Sequence, residues 1–284
     1  MTTHTPIVLT TDFGLSDPYV GVMKGVILTI NPQAKIIDLT HQIQPQHLQQ
    51  ASFILGTSHG FFPSGSIHVV VVDPGVGTDR KAVLLITPDA KFLAPDNGVL
   101  SQVLSDYLDT HPKMSCMAPV PPQCTAYQLT NPDYWLHPVS NTFQGRDVFA
   151  PTGAHLSVDV DPVKVGEPLL ELVWLPPLRS IQEENGITGE VIYADHFGNL
   201  ITNITESSIP QSILGGTSKV SVEIKGHHIG RLSRTFHGNP VQAYGEPLAL
   251  MGSNGYLEIV VADGSAQEIL KVSFGEPVSL RFVE

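Results

Sequence analysis

The run Ser66-Ile67-His68-Val69-Val70-Val71-Val72 constrains this chain most, because it offers almost no polar face. A half-exposed strand alternates apolar and polar residues. A strand without that alternation is buried on both sides, as inside a parallel sheet covered by helices. The run, like Val83-Leu84-Leu85-Ile86, is far shorter than the roughly 20 residues a membrane-spanning helix needs. It stops at Asp73-Pro74-Gly75, which turns the chain.

The surrounding segments supply what such a strand requires. Ile7-Val8-Leu9-Thr10 reads as a strand, and Tyr19 to Ile30 as a helix with Val22, Val26 and Ile30 at helical spacing. Lys35 to Leu39 reads as a strand and His47 to Phe62 as a helix. Lys81 to Thr87 and Lys91 to Ala94 read as two more strands, and Gly98 to Leu108 has helical spacing. This alternation predicts an α/β N-terminal domain with a mostly parallel sheet. Asp109 to Pro138, rich in Pro and holding both cysteines, reads as a long surface excursion with one strand, Thr125 to Leu129.

After Pro176-Pro177 the texture changes. Gly189 to Ile204, Lys219 to Ile224, Pro247 to Met251, Tyr256 to Val261 and Pro277 to Val283 are strand-like, and Ser265 to Leu270 is the only helical stretch. The reading is an α/β domain over 1–178 and a smaller, mostly-β domain over 186–284. The boundary falls between Pro176 and Asn185, where a Pro pair precedes a polar stretch. No internal repeat is evident.

Composition excludes some partners. The 284 residues carry 15 Lys+Arg against 27 Asp+Glu, a net charge of −12, which leaves little cation to neutralise a phosphate backbone. Nucleic acid is not an expected partner, nor is a membrane. Met1-Thr2-Thr3-His4-Thr5-Pro6 lacks the basic n-region of a signal peptide, so the expectation is a soluble cytoplasmic protein in which Cys116 and Cys124 are reduced thiols.

In open α/β sheets ligands bind beyond the carboxyl ends of the strands, so polar residues just after the apolar runs matter first. Asp12 follows Ile7 to Thr11. Its carboxylate can accept two hydrogen bonds from a vicinal diol such as a ribose, or it can cap the next element. Asp73 opens Asp73-Pro74-Gly75-Val76-Gly77-Thr78-Asp79-Arg80, a loop able to bring Arg80 back against the carboxylate, as a functional group or as a plain ion pair. Asp96-Asn97-Gly98 reads as a structural turn.

The Asp73 loop lacks the Gly-Lys-Ser/Thr ending of a P-loop, the histidines do not fall at zinc-ligand spacing, and no Gly-x-Ser-x-Gly elbow occurs. Two further polar segments interrupt apolar surroundings in the second half. Asp195-His196-Phe197-Gly198-Asn199 and Gly252-Ser253-Asn254-Gly255 are each explicable as tight turns. Together they offer a carboxylate, an aromatic face, and hydroxyl and amide groups, which suit an amino-acid-like ligand. Arg146-Asp147, after Asn141 to Gln144, reads as a helix-start ion pair.

Seven segments fall in one order over nearly the whole chain. They are Thr10-Thr11-Asp12-Phe13-Gly14, Asp38-Leu39-Thr40-His41, Val72-Asp73-Pro74-Gly75-Val76-Gly77, Ala94-Pro95-Asp96-Asn97-Gly98, Thr142-Phe143-x-Gly145-Arg146-Asp147-x-Phe149-Ala150-Pro151, Asp195-x-Phe197-Gly198-Asn199 and Ser253-Asn254-Gly255. The pattern resembles the S-adenosyl-L-methionine (SAM) hydroxide adenosyltransferases, adenosine-forming SAM hydrolases related to fluorinases and chlorinases. The resemblance implies a homotrimer with SAM bound where one subunit's N-domain meets a neighbour's C-domain, and no metal or redox cofactor. It implies attack of a water-derived oxygen on ribose C5′ with methionine leaving. By the same resemblance Asp12 holds the ribose hydroxyls, and Asp73 and Arg80 belong to the water-activating group. Asp195 takes the methionine ammonium, Ser253 its carboxylate with help from Asn254, and Phe197 and Asn199 lie near the adenosine.

One position departs from the pattern. The family's Thr-Phe-His-Gly-Arg-Asp segment has Gln144 where the histidine of an Asp/Arg/His group is expected. Glutamine hydrogen-bonds a water but cannot take its proton near neutral pH. The change opens two other readings, a SAM-dependent 5′-halogenase and a SAM or adenosine binding protein with little turnover. Retention of Asp73 favours hydrolysis, because a fixed anion opposes an incoming halide.

Overall fold

The protein, described here as a computed structural model, is defined over residues 5–108, 110–214, 219–230, 232–236 and 245–283. Met1 to His4, where the leader expectation was placed, and Asp109, which opens the excursion, lie outside the described residues. One compact unit runs to Pro177 and a second begins at Leu178.

The first unit is built on β1 (Ile7–Thr11), β2 (Ile36–Thr40), β3 (Ile67–Val71), β4 (Ala82–Ile86), β5 (Lys91–Pro95), β6 (Cys116–Pro119), β7 (Thr125–Leu129), β8 (Gly166–Leu169) and β9 (Glu171–Trp174). Its helices are α1 (Tyr19–Ile30), α2 (Leu48–Ser58), α3 (Ser101–Ser105) and α4 (Ala150–Ser157). Seven strands form one sheet in the order β2-β1-β3-β5-β4-β7-β8, and β6 pairs with β9 separately. The expected parallel sheet is found from β2 to β5. Beyond β5 it changes: β4, β7 and β8 run antiparallel to their neighbours, because a short turn reverses the chain between β4 and β5 where a parallel pair needs a crossover.

β3 is completely buried, and its side chains part to two cores. Ile67, Val69 and Val71 join Ile7, Leu9, Met23, Ile27, Phe149 and Ala154 under α1 and α4. Val70 and Val72 join Phe92, Leu55, Val103 and Trp174 under α2, α3 and the β6–β9 ribbon. Helices on both faces deny the sheet a solvated side, which is why β3 carries no polar alternation.

Several local expectations shift. α1 spans the expected residues but buries Val20, Met23 and Ile27, leaving Val22 toward solvent. α2 stops at Ser58, and a short 3-10 turn, His59–Phe61, finishes the segment. The Gly98 to Leu108 stretch forms only the five-residue α3. The described part of the excursion holds two strands, since β7 extends the main sheet and β6 pairs with β9. Cys116 is exposed and Cys124 buried, both as free thiols.

The second unit is a β structure: β10 (Ile181–Glu183), β11 (Gly186–Ala194), β12 (Leu200–Thr205), β13 (Lys219–Ile224), β14 (His227–Ile229), β15 (Leu232–Ser233), β16 (Pro247–Met251), β17 (Tyr256–Val261) and β18 (Pro277–Val283), with short α5 (Gln211–Leu214) and α6 (Ala266–Leu270). Among the described residues these strands make one sheet, β14-β13-β18-β11-β12-β17-β16-β15, with β10 on β11. Alternate residues such as Leu257, Ile259 and Val261 pack inward with Leu200, Val222 and Leu280. Among the described residues no helix is long and apolar enough to cross a membrane.

His68 interrupts the β3 core. It is fully buried, stacks on Phe92 at 4.9 Å and 16°, and neither ring nitrogen has a hydrogen-bond partner. Burial, helped by nearby His59, holds its pKa down to about 4. The folded protein therefore binds this proton less well than the unfolded chain, so stability falls as pH drops from about 6.5 toward 4, by at most about 3 kcal/mol. His68→Phe should flatten the fall in unfolding midpoint between pH 7 and pH 4.5. Equal slopes for the two proteins would refute this.

Candidate active site

β1 ends at two fully buried threonines, and the next residue, Asp12, emerges at the carboxyl edge of the sheet. Its Oδ2 accepts the Gln46 backbone N–H at 2.7 Å. Gln46 takes a left-handed φ of 64° to present that donor. Burial raises the Asp12 pKa above its ordinary value; the Gln46 bond opposes the rise and the negative charge of Asp73 adds to it. Asp12 and Asp73 thus share one electrostatic environment. Beside them Phe13, Tyr19 and Phe143 make mutual ring contacts with centroids 5.2 to 5.9 Å apart, an aromatic wall on the same edge.

Asp73 stands two residues past β3. The loop after it returns Arg80, whose Nε lies 3.0 Å from both carboxylate oxygens while Nη2 donates to Oδ2 and also to Gln144 Oε1. The Asp73 and Arg80 side chains are only 5% and 10% exposed, so this forked ion pair lies largely out of water. The guanidinium also sits 5.6 Å from the Phe149 ring centroid. Because Arg80 has only donors, the Gln144 amide must turn its oxygen toward Arg80. Its nitrogen is left to donate elsewhere.

Gln144 is held in place by the residues after it. Gly145–Phe149 forms a π-helical turn leading into α4, an irregularity common at functional sites. The Arg146–Asp147 pair does more than start a helix. Asp147 is fully buried, accepts Arg146 Nε at 2.6 Å and Nη2 at 2.9 Å, and accepts the Ser140 backbone N–H at 2.8 Å. It ties the approaching segment to the turn that carries Gln144. The Asp96-Asn97-Gly98 turn also serves the framework: Asn97 Nδ2 donates to the Val72 carbonyl at 2.9 Å, and Asp96 accepts the Val173 N–H at 2.8 Å.

In the second unit β11 and β12 join through Asp195 to Asn199. Asp195 Oδ1 accepts the backbone N–H of Phe197 and of Asn199, each at 2.9 Å, and Oδ2 accepts Asn199 Nδ2 at 2.9 Å. A carboxylate has about four acceptor positions, so the turn leaves one open. Asn199 is buried, whereas Phe197 is 74% exposed. Ser253 and Asn254 form the exposed tip of the turn joining β16 and β17, closed by a Gly255 N–H bond to the Gly252 carbonyl at 3.0 Å. Burial, together with Asp195, raises the pKa of Glu258; the same influences and Glu258 itself push the Tyr193 hydroxyl up to about 12. These three groups lie close in this unit.

Comparison with known proteins places the chain. The model of the SAM hydroxide adenosyltransferase N-terminal domain matches residues 7–166, and that of the C-terminal domain matches residues 189–279. The chain belongs to this family. A Thermus thermophilus protein named (R)-S-adenosyl-L-methionine hydrolase is 37% identical over 97% of this chain and 99% of its own length. A protein of the same name from Salinispora arenicola is 34% identical over 95% of each. A fluorinase from Actinopolyspora mzabensis is more distant, 26% identical over 89% of each. A crystal structure of an uncharacterized conserved protein from Thermotoga maritima superposes with a TM-score of 0.83 at 34% identity, covering 97% of this chain and 99% of that one.

Within the adenosyltransferase N-terminal unit, Asp73, Arg80 and Gln144 form one hydrogen-bonded group, with Asp12 electrostatically coupled to it. In the C-terminal unit Asp195 and Asn199 bond directly, Phe197 lies in the same turn, and Ser253 and Asn254 occupy a separate turn. Among the described residues no group of three or more His, Cys, Asp or Glu is placed to hold a metal ion. Sequence reading passes over Gln46 and Glu258. Gln46 acts through its backbone N–H, which no side chain advertises. Glu258 sits between Leu257 and Ile259 in a strand, where a charge reads as ordinary surface alternation.

The Asp73 loop depends on one glycine more than on another. Gly77 has φ +81°, and a Cβ there would lie 2.5 Å from the Asn141 carbonyl oxygen; at Gly75 the nearest atom is Arg80 Cγ at 3.3 Å. Gly77→Ala should cost at least about 1–2 kcal/mol from backbone strain alone, and Gly75→Ala less. Urea unfolding of both variants checks this, and equal losses would contradict it.

Proposed function

We propose that the chain hydrolyses SAM to adenosine and L-methionine by attack of a water-derived oxygen on ribose C5′. The observation that carries this is the Asp73–Arg80–Gln144 group, in which one guanidinium holds both a carboxylate and an amide at the carboxyl edge of the sheet. The new bond is O–C5′. The C5′–S electron pair moves to sulfur, which leaves as the neutral thioether of methionine and so needs no acid. The proton released by water passes through Asp73 to solvent. What the protein must supply is a nucleophile held in line with the breaking bond and partly stripped of water.

Each group has a task in this reading. Arg80 keeps the Asp73 carboxylate pointed in one direction, and the Gln144 amide nitrogen donates to the attacking oxygen, leaving its lone pair for carbon. Of the three, only Asp73 can accept a proton. Asp12 accepts the ribose hydroxyls. Asp195 receives the ammonium, Ser253 and Asn254 the carboxylate, and Phe197 and Asn199 flank the nucleoside. A proton acceptor is useful to water and useless to a halide. At 4 Å and an effective dielectric of 20, one unit charge repels another by about 4 kcal/mol, of which Arg80 cancels part. Retention of Asp73 therefore favours hydrolysis over 5′-halogenation and over binding without turnover. No cofactor enters the scheme. The reading includes domains at 1–178 and 186–284, a cytoplasmic homotrimer, and a substrate site shared between one subunit's N-domain and its neighbour's C-domain. That arrangement is supported by the family resemblance.

With SAM in ¹⁸O-labelled water, the label is expected at adenosine O5′, and unlabelled adenosine would overturn the reading. A 5′-chloro nucleoside formed in excess chloride would favour the halogenase. Asp73→Asn should lower kcat by about 10²–10⁴-fold with little change in KM. Gln144→His should keep turnover and add a limb to the pH–rate profile between about pH 5 and 8.

A further inference from the structure

The Asp38-Leu39-Thr40-His41 segment has no task in this reaction, yet it reaches the edge that carries Asp12. His41 is 3% exposed and Thr11 is fully buried. His41 Nδ1 lies 2.9 Å from Thr11 Oγ1, and His41 Nε2 lies 3.1 Å from Asp38 Oδ1. Lys24 Nζ donates to Asp38 Oδ2 at 2.7 Å. Burial opposes ionisation of Asp38, but Lys24 and His41 together hold its pKa below the ordinary carboxylate value.

The chemistry of the groups sets these contacts. An ionised carboxylate only accepts, so the Nε2 side of the ring faces Asp38 as a charge contact, while Nδ1 and the Thr11 hydroxyl share one hydrogen bond at 2.9 Å. The Thr11 oxygen also accepts the Phe13 backbone N–H, at 3.2 Å. The His41 carbonyl accepts the Gly14 N–H at 2.8 Å. Gln46, five residues beyond His41, donates to Asp12 itself at 2.7 Å. The backbone on both sides of Asp12, and one of its carboxylate oxygens, are thus fastened to the His41–Gln46 segment.

We infer that His41 is a positioning residue whose bond to Thr11, with its ring set against Asp38, aims the Asp12 carboxylate, so that the site selects ligands with an intact ribose 2′,3′-diol. This rests on the proposed role of Asp12. An apolar residue would fill the His41 volume equally well. What it cannot do is hold the Thr11 hydroxyl in one rotamer and, through Phe13 N–H, fix the backbone that directs Asp12. Two hydroxyls accepted by one carboxylate demand such direction, since a misaligned hydrogen bond loses most of its strength.

Calorimetric titration of the full-length protein with adenosine and with 2′,3′-dideoxyadenosine tests this. The wild type should prefer adenosine by about tenfold or more, in line with two hydrogen bonds to a charged group. Asp12→Asn and His41→Phe should each reduce the preference to within about threefold, and the double variant should lower it no further, as for two residues acting through one contact. Thr11→Val should lose the preference and Thr11→Ser keep it, which carries the test if His41→Phe fails to fold. Loss of preference in Asp12→Asn with full preference in His41→Phe and in Thr11→Val would overturn the inference. An unchanged preference in Asp12→Asn would instead overturn the diol role of Asp12, and the inference with it.

Discussion

A strand with no polar face can display charge only beyond its ends, and β3 is such a strand at the centre of the first unit. Its two sets of side chains feed two separate cores, so α1 and α4 must cover one side and α2, α3 and the β6–β9 ribbon the other. Every polar group that comes after a central strand is thereby gathered at one edge. Asp12 after β1 and Asp73 after β3 are neighbours for this reason, and their shared environment shows in the effect of one carboxylate on the other.

The chemistry at that edge turns on Arg80. The Asp73 carboxylate lies largely out of water with the Arg80 guanidinium fixed beside it. Arg80 also takes the Gln144 amide oxygen, so one side chain fixes the orientation of both groups. Glutamine stands at the position where the resemblance implies a histidine. The geometry turns the amide oxygen to Arg80 and leaves the amide nitrogen as a donor.

Much of this was legible in the residues. The unbroken apolar run marks β3 as doubly buried, and the turn residues after it mark Asp73 as displayed. The Pro pair near residue 177 separates two textures, one alternating strand and helix, the other nearly all strand. Other features escape a sequence reading for identifiable reasons. The reversal at β5 depends on a four-residue connection that reads equally well in either sheet type. α1 buries Val20, Met23 and Ile27 most deeply, with Val26 and Ile30 only partly covered, because the spacing of apolar residues marks more than one possible inward face. Arg146–Asp147 looks like a cap, and only packing shows a fully buried carboxylate holding a neighbouring segment.

What the sequence alone determined is the chemical inventory and its order: two textures of chain, a doubly buried strand, and carboxylates placed after strands in the pattern of one family. These are local properties of period, residue type and spacing. Tertiary structure decided which groups meet. Arg80 reaching both Asp73 and Gln144, the His41 ring lying between Thr11 and Asp38, and the Gln46 backbone N–H pointing at Asp12 each join residues from separate segments. Hydrogen bonds depend on direction as well as identity, and direction is set only when the whole sheet has packed.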